Sequence, residues 1–439
     1  MDQENKNLLL PWGAVFIISA AIFSGHFGVG DLIFPPILGR DSGTSWFIAA
    51  LGYGVINSLG VLIAYLAVSM QDKSLFGLAS SVFGKNFGAV FTTMSMLIIG
   101  PVFILPRVSS ATHEMAVEQF FPGVPIWVTL LIFFVFNFYF AYNRSKVIDK
   151  LGKYLAPTLI VFMVVLVVKG IVSPLASPVS PGSPTAFTEG ILNGYNTMNA
   201  LGASLFGLWL INEFNIRGLK SREARKNNLI VIGSITAVAL FLTSTVLTYL
   251  GATSGAKFPD AQIGILTVEF ARGLLGFFGT IVFAIILTFA NITTSVGLTS
   301  TAGDTFEQLT NGKLKYLTTV ILSSIVGFLI GVIGLSKVVG YTTPWLMLLY
   351  PTLLVILIMN LFSDFNSVKL ATQAGVIVAI FFSLGDFLPG LGFGNTFFTR
   401  MNSALPLGKQ GLAWLLPTVI VIIVVQLIAQ SSKTKTAAA

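Results

Sequence analysis

The sequence predicts an all-α, polytopic membrane protein of about twelve spanning helices. Three observations carry that reading. Apolar runs long enough to cross a bilayer recur along the whole chain. Only 10% of residues are charged and 54% are hydrophobic, whereas a soluble domain carries about 25% charged residues. Basic residues gather in alternate loops, the bias that orients membrane proteins.

The spans fall at roughly 9–36, 44–70, 87–112, 124–143, 151–173, 187–212, 227–251, 270–306, 315–334, 337–362, 368–386 and 411–430. Several exceed the roughly 20 residues a crossing helix needs, so they must tilt, bend or break. The clearest linker is Ser173–Pro184, SPLASPVSPGSP. The opening stretch MDQENKNLLLPWG has neither a basic leader region nor a small-residue cleavage site, so no cleaved signal is expected there.

With the N-terminus inside, the cytoplasmic loops hold Lys73 and Lys85, then Arg144, Lys146, Lys150 and Lys153. They also hold Arg217, Lys220, Arg222, Arg225 and Lys226, then Lys313, Lys315 and Lys369, with Lys433 and Lys435 in the tail. The other side keeps Arg40, Lys257, Arg400 and Lys409. Both termini are therefore expected to be cytoplasmic.

Cysteine is absent and only His26 and His113 offer imidazoles, which argues against disulfides, haem attachment and a transition-metal centre. The net charge of +8 is scattered over loops, without the aromatic-interleaved patch of a nucleic-acid surface. An intramembrane enzyme would need paired acids or a nucleophile and base, and neither histidine has an evident partner. A channel would need a continuous polar lining, and the polar residues form only mid-span clusters.

The spans hold few ionisable residues. Asp31 lies in the first, Arg107 in the third, and Asp304 and Glu307 at the end of the eighth, towards the cytoplasmic interface. Asp31 is followed by Leu32-Ile33-Phe34, so it reads as an intramembrane acid facing protein or a watery cavity rather than as an interfacial one.

Two spans are interrupted. The first breaks at Gly28-Val29-Gly30, and Pro35-Pro36 is expected to end its outer half. The sixth breaks within NGYNTMNALGA, Asn193–Ala203. Their five-span separation is the pattern of an inverted repeat whose broken helices face each other at the midplane. Freed amides at a half-helix start suit a carboxylate, and freed carbonyls suit an ammonium or Na⁺. Packing glycines are the plainer alternative for either break alone. In the eighth span, Ala290, Thr293 and Thr294 share one helical face. One carbonyl and two hydroxyls there could ligate a small cation, or the hydroxyls could bond back to their own helix.

GVGDLIFPPILG, beginning at Gly28, resembles the first-helix motif of the branched-chain amino acid:cation symporters, the bacterial leucine/isoleucine/valine carriers. The likeness continues through GPVFILPR (Gly100–Arg107), DKLGKYLAP (Asp149–Pro157), Asn193–Gly202, Ser295–Thr299, Tyr350-Pro351 and QGLAWLLP (Gln410–Pro417). This family is similar in architecture to LeuT-like transporters of the APC superfamily. The resemblance implies a 5+5 inverted repeat, 8–173 and 186–362, with discontinuous helices 1 and 6. Two further helices at 366–430 would complete one transport domain.

It also implies a transporter, not an enzyme, taking up leucine, isoleucine and valine with Na⁺ by alternating access. The alternative is a proton-coupled permease of the same fold, with Asp31 or His26 carrying the proton. The expected setting is the bacterial cytoplasmic membrane and the expected assembly a monomer. One sodium would lie between helix-1 carbonyls near Ser24 and Phe27 and the helix-8 set Ala290, Thr293 and Thr294. A second would lie near Asp31 and Thr197. The expected substrate site is Phe27, Gly28, Val29, Gly30, Asp31, Phe103, Tyr195, Asn196, Thr197, Met198 and Asn199. Val102 and Phe206 are further candidates for the side-chain pocket. In the family pattern helix 1 usually carries Asn where this chain has Asp31, and helix 6 often carries Asp where it has Asn199. Asp31 could therefore bind sodium, pair with the substrate ammonium or take up a proton.

Overall fold

The computed structural model describes residues 9–142, 161–219, 221–362, 364–394 and 397–438, and it is helical throughout with no strand among them. The chain opens with α1 (Trp12–His26) and α2 (Val29–Ser42), the two halves of the first span. The second span joins α3 (Trp46–Gly54) to α4 (Gly60–Gln71) through a π-helical turn at Val55–Leu59. A short α5 (Leu75–Phe83), capped by the Ser74 hydroxyl, leads to α6 (Lys85–Leu97). From there the chain kinks at Gly100 into α7 (Ile104–Thr112). Next come α8 (Ile126–Tyr142) and α9 (Val161–Val172). The sixth span divides into α10 (Ala186–Tyr195) and α11 (Asn199–Ile216). Then follow α12 (Arg222–Ser254), α13 (Ile265–Leu309) and α14 (Tyr316–Gly331). The last elements are α15 (Leu335–Met359), α16 (Phe365–Gly390), α17 (Phe397–Ser403) and α18 (Leu415–Ala438). The DKLGKYLAP stretch, its neighbours Arg144 and Lys146, and Lys220 lie outside the described residues.

Three boundaries differ from the sequence reading. The first break sits at Phe27-Gly28, so Val29 and Gly30 already belong to the outer half-helix. The expected eighth span is preceded by a helical arm, because Gly276 (φ 66°, ψ −160°) turns α13 without ending its run. Pro35 and Pro36 do not end α2, which continues to Ser42. A proline within a helix leaves the carbonyl four residues back without its N–H donor. For Pro36 that carbonyl is Leu32, and the Thr267 hydroxyl of α13 donates to it at 2.6 Å. Thr267→Val keeps the shape and removes the donor. It should destabilise the purified protein by about 1–3 kcal/mol, seen as a lower thermal midpoint.

The helices pack as two groups. In the first, α12 lies along α1, α2, α3 and α4, while α10 lies on α3 and α11 on α4. Glycines permit this approach: a Cβ at Gly251 would overlap the Pro36 carbonyl, and one at Gly190 the Ala49 carbonyl. In the second, α7, α8, α13 and α14 pack together. Asn137 of α8 is its polar tie, accepting from Ser295 at 2.8 Å and donating to Thr299 at 3.1 Å. The Ser295–Thr299 motif thus fixes one helix to its neighbour. The Ser/Pro linker is held against the first group, where the Thr44 amide donates to Val179 at 3.0 Å.

Candidate functional site

Both interrupted helices break at the same place in the molecule. Phe27 (φ −77°, ψ 94°) and Gly28 (φ −125°, ψ −164°) are extended, which separates α1 from α2. Between α10 and α11 the chain passes through Asn196 and Thr197 to Met198, whose left-handed conformation (φ 60°, ψ 14°) is costly for a side chain of that size. The breaks touch: a Cβ on Gly30 would lie 3.5 Å from the Thr197 Cα.

Asp31 joins them. Its carboxylate is 2% exposed and belongs to the first turn of α2, where amides have no carbonyl behind them to bond. It accepts from the Gly28 amide at 3.3 Å, from Asn57 at 3.0 Å, and from Asn199 at 3.2 and 3.4 Å. Asn199 also donates to the Asn57 side-chain oxygen at 2.7 Å. Asn57 comes from the π-helical turn of the second span, a local widening that recurs at functional sites. The acid on the first span, the amide on the sixth and a second amide on the second span therefore form one buried network.

Arg107 reaches the same centre from the second group of helices. The kink at Gly100-Pro101 precedes α7, and the guanidinium is as buried as Asp31. It donates to the Asn196 carbonyl at 2.6 Å and sits over the Phe34 ring, 5.4 Å from the centroid. The Asn196 side-chain oxygen accepts from Thr343 of α15 at 3.0 Å. Tyr195 stacks on Tyr350 with centroids 4.6 Å apart, giving the break an aromatic wall. Phe27, within the first break, stacks on Phe23 at 5.3 Å. The site offers first-turn amides for an anion, broken-helix carbonyls for a cation, and apolar rings beside both.

The comparisons with known proteins cover nearly the whole chain. The family model described as branched-chain amino acid transport protein matches residues 13–432. The chain belongs to the branched-chain amino acid transport protein family. It is accordingly a transporter rather than an enzyme. The branched-chain amino acid permease BraB of Bacillus subtilis is 31% identical over 94% of this chain and 94% of its own length. The branched-chain amino acid transport system 2 carrier protein of Pseudomonas aeruginosa is 30% identical, over 91% of this chain and 92% of its own. Among solved structures, the nucleobase-cation-symport-1 family transporter Mhp1, closed on bromovinylhydantoin, superposes with a TM-score of 0.62 at 14% identity, covering 96% of this chain and 93% of that one. MhsT in complex with L-phenylalanine gives 0.54 at 15% identity, over 94% and 98%. These likenesses establish the LeuT-like fold.

Within this member of the family the expected residues divide into two sets. Gly28, Val29, Gly30, Asp31, Tyr195, Asn196, Thr197, Met198 and Asn199 gather at the two breaks. Phe27 borders the first break and Phe103 is buried at the start of α7. The expected cation set comes from two helices, α1 and α13. The elements packed most extensively on α1 are α12 and α11. The Thr293 hydroxyl bonds back to the Ala290 carbonyl at 2.9 Å, the usual back-bond of a helical threonine. An apolar cavity of about 200 Å³ lies beside α1, lined by Phe23 and Phe27 with residues of α9 and α12. Of the expected pocket residues it shares only Phe27.

Asn57, Thr343 and Tyr350 were not expected as site residues, and Arg107 was noted without a role. Asn57 is an amide amid an apolar span, and that alone could have marked it.

Proposed function

We propose that this chain carries leucine, isoleucine and valine into the cell together with Na⁺, by alternating access. The observation that carries this reading is the juxtaposition of two helix breaks around Asp31, Asn57 and Asn199. A zwitterion needs both charge partners within a few ångströms. First-turn amides at Val29 and Gly30 suit its carboxylate, and carbonyls around Phe27 and Tyr195–Met198 suit its ammonium. The branched side chain would rest among Phe27, Val102, Phe103, Tyr195, Met198 and Phe206. The bacterial relatives named as branched-chain amino acid permeases support the substrate class.

Sodium is the coupling ion in this reading. Ser24 and Phe27 carbonyls with Ala290, Thr293 and Thr294 would hold it once α1 closes on α13, a rearrangement in keeping with rocking of one helix group against the other. Linked binding of ion and substrate then supplies the coupling. The repeats would be 8–173 and 186–362, with 366–430 peripheral and no partner subunit required. Both termini would be cytoplasmic. Arg225 pairs with Asp72 beside Lys73, and the Leu10 amide bonds Asn228 nearby, so the basic end of the bundle and the N-terminal segment coincide.

Calorimetric titration of purified protein with leucine, at a series of sodium concentrations balanced by potassium, tests the ion site. Thr294→Ala and Thr293→Ala should each raise the sodium needed for half-maximal binding by about tenfold, the loss of one oxygen ligand. Sodium curves unchanged in both variants would remove the site. Leucine binding that ignores sodium and follows pH instead would favour the proton-coupled permease.

A further inference from the structure

The second sodium that the family resemblance implies, near Asp31 and Thr197, has no free ligands in this structure. The Asp31 carboxylate accepts from Gly28, Asn57 and Asn199. The Thr197 hydroxyl donates to the Gly194 carbonyl at 2.8 Å and accepts from the Asn199 amide at 3.2 Å. The carbonyl freed at the sixth-span break, Asn196, accepts from Arg107 at 2.6 Å. The Asp31 carboxylate, the Thr197 hydroxyl and the Asn196 carbonyl are thus already engaged by protein groups. The cation that is present is covalent. The guanidinium lies between the breaks, with Nη1 on Asn196 and Nη2 3.1 Å from the point a Gly30 Cβ would occupy. Gly30 makes room for it, since any side chain there would press on it.

We infer that Arg107 is a resident cation, holding at the sixth-span break the place expected for the substrate-adjacent sodium, so that only one sodium exchanges in each cycle. The inference rests on the sodium-coupled reading above for its last clause alone. Three features support it. Arg107 and Asp31 are both buried, and a buried charge is tolerable when an opposite charge and hydrogen bonds compensate it. Arg107 belongs to the second helix group and reaches the breaks of the first, so it ties the moving parts as a bound ion between them would. Its buried Nε has no hydrogen-bond partner among the described residues, so the guanidinium keeps an unused donor. Arg107 is thus a positioning residue that acts through the backbone of the sixth-span break.

The test is the thermal midpoint of the purified protein, without amino acid, in sodium, lithium, potassium, choline or millimolar guanidinium chloride. Arg107→Ala should lose stability and regain most of it with guanidinium or sodium, a rescue that a merely structural side chain would not show. The sodium dependence of leucine binding should change from a Hill coefficient of about 1 to about 2 in this variant. A folded Arg107→Ala protein with no rescue and an unchanged sodium curve overturns the inference. If Arg107→Ala does not fold, Arg107→Met with Asp31→Asn removes both charges and should restore a folded protein. Failure of that double variant to fold also overturns it. A wild-type protein indifferent to sodium would sink only the sodium-coupled reading, because guanidinium rescue of Arg107→Ala still decides the role of Arg107.

Discussion

Asp31→Asn is expected to lower leucine uptake by on the order of a hundredfold while leaving the protein folded. The carboxylate accepts from donors on three segments, Gly28, Asn57 and Asn199. An asparagine can turn only one oxygen towards them, and its NH₂ must then face another amide donor. A hydrogen bond to a charged group contributes about 1.5–3 kcal/mol, and about 1.4 kcal/mol is a factor of ten. Losing one such bond gives the expected size. The double variant Asp31→Asn with Asn199→Asp moves the acid to the sixth span. The two side chains are 3.2 Å apart, so the exchange keeps an amide against a carboxylate and should recover most of the uptake. Wild-type transport, pH profile and sodium profile in the single variant would show that Asp31 has no part in the cycle.

Gly251→Val should prevent folded protein from accumulating at all. The α2 and α12 helices approach so closely that a Cβ at Gly251 would overlap the Pro36 carbonyl, and one at Gly39 the Thr248 carbonyl. Both obstacles are backbone, which cannot rotate aside as a side chain can. Overpacking of a well-filled core costs about 1–3 kcal/mol where side chains can yield, and more where they cannot. Gly297→Ala is the control, because nothing lies within 4 Å of a Cβ at that position. That change should be neutral or stabilising by up to about 1 kcal/mol. Size-exclusion profiles of the detergent-extracted variants distinguish the two. A normal peak for Gly251→Val would show that α2 and α12 do not pack as described.

Much of the site was legible because membrane helices make polar residues conspicuous. Asp31, the glycines of the first break and the polar run of the sixth stood out against an apolar background, and the structure brings them together. Asn57 was conspicuous as an amide in an apolar span, but its meeting with Asp31 depends on a π-helical turn that no hydrophobic period reveals. The continuation of α2 beyond Pro36 was illegible for a similar reason. The hydroxyl that replaces the lost donor, Thr267, lies 235 residues away in sequence. The convergence of Ala290, Thr293 and Thr294 with α1 depends on how two helix groups stand relative to one another. A single helix's spacing gives the shared face but not the distance to its partner.

The central claim is that this double break carries branched-chain amino acids with sodium. Uptake of labelled leucine into proteoliposomes, with an inward sodium gradient compared with an equal potassium gradient at matched pH on both sides, tests it most directly. The account predicts accumulation above the external concentration in sodium alone, competed by isoleucine and valine. Equal uptake in sodium and potassium, or accumulation that follows an imposed pH gradient alone, would contradict it.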